Sequence, residues 1–156
     1  MGGFQKQMAN LHRLMLILVV FSLAQLALVS GVLFGKVRVY VINNLESGKK
    51  LHMHCQSGDD DLGKHVIGHK DYFKWSFYNN IWDTTLFWCD FEWQHSSGAT
   101  VVGTFNIYDA MRDQPRCYTT CEWKVQRTGV YAFNLNTRKW ERLYRWLLPD
   151  GLATHG

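Results

Sequence analysis

At 156 residues the chain has room for one domain and a short leader. Its formal net charge of +4 drops by two if Lys6 and Arg13 leave with that leader, too slight a balance to argue for a nucleic acid partner or an anionic membrane surface. Seven Trp, seven Tyr and nine Phe supply heavy core material, each ring burying roughly 150–250 Å².

Met1 to Arg13 carries Lys6 and Arg13 and no acid, Leu14 to Val29 is almost wholly apolar, and Ser30-Gly31 follows. A basic start, an apolar middle and small residues at the end lay out a secretory signal peptide over residues 1–31, cut after Gly31, with a cut after Gly35 as the second choice. Leu14 to Phe34 is also long enough to span a bilayer, but no basic stop-transfer cluster follows it. A domain over 32–146 and a frayed tail over 147–156 complete the expected organisation.

Lys36 to Asn43 alternates, with Val37, Val39 and Val41 on one face, and predicts a strand. In Leu51 to Gln56 the residues Leu51, Met53 and Cys55 point one way, and His52 and His54 the other. Gly58-Asp59-Asp60-Asp61-Leu62-Gly63 is then an acidic turn, because three adjacent carboxylates repel one another and two glycines permit positive φ. Lys64 to His69 predicts a short strand, and Tyr72 to Tyr78 another with Phe73, Trp75 and Phe77 inward. Thr84 to Trp93 is the strongest strand, with Phe87, Cys89, Phe91 and Trp93 on one face. Ser96-Ser97-Gly98 turns it into Thr100 to Tyr108. Asp109 to Tyr118 is read as an irregular loop. Cys121, Trp123 and Val125 begin the next strand, Tyr131, Phe133 and Leu135 run back, and Trp140 to Trp146 is a last strand or edge. Seven to nine short strands at this turn spacing, with no amphipathic helix after residue 35, predict a compact antiparallel all-β sandwich.

Cys55, Cys89, Cys117 and Cys121 all follow the leader, and an even count in that context reads as two disulfides. Cys-x3-Cys without a second matched pair is poor zinc spacing. Cys89 lies mid-strand beside the hairpin that leads on to Cys117, so the expected pairing is Cys89–Cys117 with Cys55–Cys121.

The array resembles the plant self-incompatibility protein S1 family. The resemblance is carried by Val39 to Leu45 (VYVINNL), Leu51 to Gly63 (LHMHCQSGDDDLG) and Phe73 to Phe77 (FKWSF), then by Thr84 to Trp93 (TTLFWCDFEW), Cys117 to Val125 (CYTTCEWKV) and Thr128 to Phe133 (TGVYAF). It covers about residues 36 to 146, and it implies a small secreted β-sandwich with two disulfides that acts as an extracellular ligand for a membrane receptor. The founding members act in rejection of self pollen. Gly58 stands where a basic residue is expected, and Trp82-Asp83 where a glycine is common; both lie in loops that would choose a partner.

Candidate sites follow. Asp59, Asp60 and Asp61 cap their own loop or contact a partner; calcium requires six to eight oxygens from spaced positions, which consecutive aspartates do not supply. His52 and His54 share a strand face, as metal ligands can, with His65, His69 and His95 as possible companions, yet solvent-facing or core roles are the expectation. Asp90 and Glu92 have the look of a glycosidase pair but read as a solvated strand face, and no Gly-x-Ser-x-Gly stretch exists. Trp82 and Trp88 lie off the cysteine face and are the candidates of an alternative, lectin-like reading. Arg138, Lys139, Arg142 and Arg145 read as a charged edge that blocks sheet-to-sheet pairing. The expectation is a secreted, monomeric, non-enzymatic ligand with Asp59, Asp60, Asp61 and Trp82 toward a cell-surface receptor, no cofactor, metal or nucleic acid, and no stable membrane insertion after cleavage.

Overall fold

The computed structural model describes residues 2–33 and 35–147. Except for Leu147, the expected tail at 147–156 lies outside the described residues. The chain divides into two units, Met1–Gly35 and Lys36–Gly156. The first holds α1 (Gly2–Leu33), and its Lys6–Gln25 segment is long and apolar enough to cross a membrane. The described apolar side chains of α1, Leu16 and Phe21 among them, are exposed.

The second unit is a two-layer sandwich. Its elements are β1 (Lys36–Asn43), β2 (Leu51–Gln56), β3 (Asp61–Ile67), β4 (Tyr72–Tyr78), β5 (Leu86–Gln94), β6 (Thr100–Asp109), α2 (Ala110–Cys117), β7 (Thr120–Gln126), β8 (Gly129–Asn134) and β9 (Lys139–Tyr144). One sheet runs β4-β1-β7-β8-β9 and the other β3-β2-β5-β6. Pairing is antiparallel except between β1 and β7, which run parallel at the centre of the larger sheet. A parallel pair requires a long crossover, supplied here by everything from β2 to α2.

Alternation along each strand decides what is buried. Val37, Val39 and Val41 of β1, Trp123 and Val125 of β7, and Val130 and Ala132 of β8 meet Leu51, Met53 and Cys55 of β2 and Phe87, Cys89, Phe91 and Trp93 of β5. Aromatic rings seal both sides of the sandwich. Phe105 of β6 stacks on Tyr144 of β9 at 4.7 Å and meets Trp146 at 5.4 Å; His65 of β3 stacks on Phe73 of β4 at 3.7 Å. These contacts close the gap between the two sheets along its flanks.

Three expectations require correction. The strand read over Lys64 to His69 is Asp61–Ile67, so Asp61, Leu62 and Gly63 belong to β3 and not to the turn. Asp109 to Tyr118 is not an irregular loop, since Ala110–Cys117 forms a helix. Asp109 caps it by accepting from the Arg112 backbone N–H, and Pro115 does not prevent it because side-chain bonds hold this short helix from beneath. The disulfides are Cys55–Cys89 and Cys117–Cys121, not Cys55–Cys121 with Cys89–Cys117. Cys55 and Cys89 are register partners on adjacent strands β2 and β5. The helix carries Cys117 away from β5 to the start of β7, where Cys121 lies 5.0 Å away between Cα atoms.

Candidate functional site

Register places three connections at one end of the smaller sheet. Gln56 sits opposite Trp88, and Leu86 opposite Asp109. The β2–β3 turn, the β4–β5 loop and α2 therefore emerge together. The β8–β9 turn joins them, as Leu135 N donates to Arg116 O at 3.0 Å and Asn136 Nδ2 to Pro115 O at 2.6 Å.

The acidic turn is shaped by its own backbone. Ser57 Oγ accepts from the backbone N–H groups of Asp59 and Asp60, and Ser57 N donates to Asp60 O at 2.7 Å. Asp61 opens β3; its carboxylate accepts from Gly63 N at 2.8 Å and contacts His54 Nε2 at 2.6 Å. The Gly63 N–H, and after it His54, hold the Asp61 carboxyl below the ordinary carboxylate value. Gly63 has φ +77°, which its lack of a side chain permits. Asp59 and Asp60 point into solvent with neither carboxylate in an ion pair among the described residues.

The β4–β5 loop is cross-linked by hydrogen bonds and presents apolar surface. Asn80 Oδ1 accepts from Trp82 N and Thr84 N, while Asn80 Nδ2 donates to Thr84 Oγ1 at 2.6 Å. Asp83 takes φ +52° and its carboxylate accepts from Gln114 Nε2 of α2 at 2.6 Å. Locked in this way, Ile81 is 67% exposed and Trp82 77% exposed. Across the Asp83–Gln114 bond lies Met111, 78% exposed, and a shallow depression of about 310 Å³ runs between Trp82, Met111 and Pro115. Ile81, Trp82 and Met111 thus form an exposed apolar group beside the acidic turn.

Beneath α2 sits an ionic cluster. Asp113 is fully buried and accepts from Arg112 Nε and Nη2 and from Arg116 Nε and Nη2, all within 3.0 Å, as well as from Asp109 N. Both guanidinium groups lie over the buried Trp123 ring, Arg112 at 5.3 Å and Arg116 at 5.0 Å. Arg116 also donates to Phe133 O, and Arg112 to Asn106 O and to the Tyr144 hydroxyl. Burial opposes the Arg112 charge, but bonding to Asp113 outweighs it and raises that guanidinium above its ordinary value. The cluster fixes α2 to both sheets. In the sequence the charges of 109–118 resemble a solvated loop; the Arg112, Asp113 and Arg116 spacing on one helical face, behind a capping Asp109, is the signal for a helix.

The remaining sequence candidates fall elsewhere. His52 and His54 face Glu92 and Asp90 across the β2–β5 pair and line a concavity of about 730 Å³ on the outer face of the smaller sheet. There Thr104 Oγ1 donates to Asp90 Oδ1. Among the described residues no group of three or more His, Cys, Asp or Glu is arranged to hold a metal. Trp88 is half-buried on β5, in a different setting from Trp82. Arg138 turns the chain at φ +54°, and Lys139 and Arg142 lie on the edge strand β9.

A two-sheet sandwich with two disulfides, behind an apolar N-terminal helix, defines a small secreted β-sandwich protein by class. Comparison sharpens the class. Residues 38–146 match the family described as plant self-incompatibility protein S1. S-protein homolog 5 of Arabidopsis thaliana is 38% identical over 96 residues, 62% of this chain and 70% of that protein. S-protein homolog 29 of the same plant is 35% identical over 113 residues, 72% of this chain and 79% of its own length. Self-incompatibility protein S1 of Papaver rhoeas is 31% identical over 109 residues, 69% of this chain and 76% of that protein. A solved structure of SPH (self-incompatibility protein homologue) proteins, described as small, highly stable and secreted, superposes with TM-score 0.54 at 18% identity, covering 71% of this chain and 94% of the other. The chain belongs to the plant self-incompatibility protein S1 family. With two disulfides and an apolar N-terminal helix, it is a secreted protein.

Proposed function

We propose that the chain is an extracellular ligand that docks its loop end on the ectodomain of a cell-surface receptor. One observation carries this reading: Ile81 and Trp82, on a loop tied by Asn80 and Asp83, and Met111, on the neighbouring α2, all stand exposed to water. An interface of this kind uses aromatic anchors in its centre and charge at its rim. Asp59 and Asp60 supply the rim, so the complementary receptor surface is an apolar pocket bordered by basic side chains. Asp61, engaged by Gly63 and His54, shapes the turn and contributes less to contact. The role is binding and not catalysis, performed by a monomer after the leader is cut following Gly31. Relatives named for self-incompatibility support a part in recognition between cells.

The test is saturable binding of the labelled mature protein to intact cells of the tissue that expresses it, competed by unlabelled protein. Trp82→Ala and Ile81→Ser are expected to weaken binding by about tenfold or more each with the fold intact, as for central interface anchors. Unchanged binding by both variants would remove the loop end from consideration.

A further inference from the structure

The outer face of the larger sheet has a composition of its own. Lys36 and Arg38 of β1, Lys74 of β4, Lys124 of β7 and Arg142 of β9 all lie at outward positions. Glu122 is the one acidic side chain at an outward position on β1, β4, β7 and β8. Among the described residues none of the five cations sits in an ion pair. On the other sheet, Asp90 and Glu92 share the outer face with Lys64, and Asp59, Asp60 and Asp61 lie in and beside its turn, so the cations gather mainly on the larger sheet.

Rings are interleaved with these cations. One register row reads Tyr72, Ile42, Lys124, Tyr131 and Arg142 across all five strands. In the next row Tyr40 sits between Lys74 and Glu122, and it meets Tyr72 with ring centroids 5.7 Å apart. Lys124 lies 3.9 Å above the Trp140 ring, and Lys36 5.9 Å from that of Tyr78. The result is a five-stranded face on which positive groups and rings are interspersed.

We propose that this face binds a linear acidic polysaccharide, a polymer of uronic acids. Each uronate sugar offers a carboxylate to a Lys or Arg and an apolar C–H face to a ring, the two chemistries that alternate here. A secreted protein meets such polymers and not cytosolic nucleic acid. Tyrosine, with its hydroxyl, suits a hydrated sugar better than an acyl chain, which takes bulkier apolar side chains. The proposal rests on secretion and on the face itself; it does not depend on receptor docking at the loop end.

The probe is size-defined polygalacturonate, titrated calorimetrically into the mature protein, with a neutral glucan of equal length as control. Polygalacturonate is expected to bind in a salt-sensitive manner, and the neutral glucan not. Arg38→Gln combined with Lys74→Gln, both at exposed positions, should weaken binding by about tenfold, as should Tyr72→Ser or Tyr78→Ser at rings 54% and 64% exposed. Trp82→Ala should bind polygalacturonate like the parent, which separates this face from the loop end. Near-ultraviolet circular dichroism establishes that each variant is folded, and two independent ring variants guard against loss of one. The proposal is overturned if polygalacturonate does not bind, or if dextran sulfate binds equally and neither tyrosine matters. Tighter association with phosphatidylserine vesicles or a single-stranded oligonucleotide also overturns it.

Discussion

Asp113 concentrates more of the structure on one side chain than any other residue of the loop end. It holds two arginines, caps a backbone N–H and lies under a helix that joins both sheets. Removing one member of a buried charge group leaves the others uncompensated, so Asp113→Ala should cost about 3–5 kcal/mol in urea unfolding. Asp113→Asn, which keeps the shape and loses the charge, should fall short of the parent too. Tyr108 offers a test by pH. Its fully buried hydroxyl donates to Asn79 Oδ1 at 2.9 Å. Burial, only partly offset by that bond, raises its pKa from 10.0 to about 12. A raised folded value means the contribution is complete below the unfolded pKa and fades as pH climbs through the folded one. Stability should therefore decline between roughly pH 10 and 12. Tyr108→Phe should flatten that decline when unfolding is followed across the range.

At the scale of elements, the two disulfides differ in the loop they close. Cys55 and Cys89 are 34 residues apart and staple β2 to β5, whereas Cys117 and Cys121 are 4 apart and fasten α2 to β7. Loop-closure entropy then assigns about 4 kcal/mol to the first and about 2 kcal/mol to the second. Replacing each pair with serine and measuring urea midpoints should reproduce that order. Gly129 enters β8 at φ +144°, and a Cβ there would come within 2.2 Å of the Tyr144 carbonyl oxygen on β9. Gly129→Ala should lose about 2–3 kcal/mol through strain and collision together. Period-two alternation made most strands legible: β1, β2 and β4 occupy the residues their patterns mark. Disulfide pairing was not legible, because partners depend on which strands are neighbours, and local pattern is silent on neighbours. Helix α2 escaped for a related reason, since its stabilising groups are charges buried by distant strands. Of the loop end, Asp59–Asp61 and Trp82 could be singled out from residue type, whereas Ile81 and Met111 join them only once register brings the loops together.

Across the sandwich as a whole, the loop end and the two faces carry different chemistry. N-terminal sequencing of secreted protein should begin at Val32 if cleavage follows Gly31. The loop end, tethered by Asp113, Asn80 and Asn136 from within, leaves the outward positions of the same segments without structural duty. Met111 and Pro115 on α2 and Ile81 and Trp82 on the neighbouring loop touch little that the fold requires. Under the docking role proposed above, such positions are open to change by inheritance: a gene lineage can exchange them and acquire a new counterpart while the interior stays as it was. Related copies within one genome can in this way diverge in what they address without any of them having to learn to fold again.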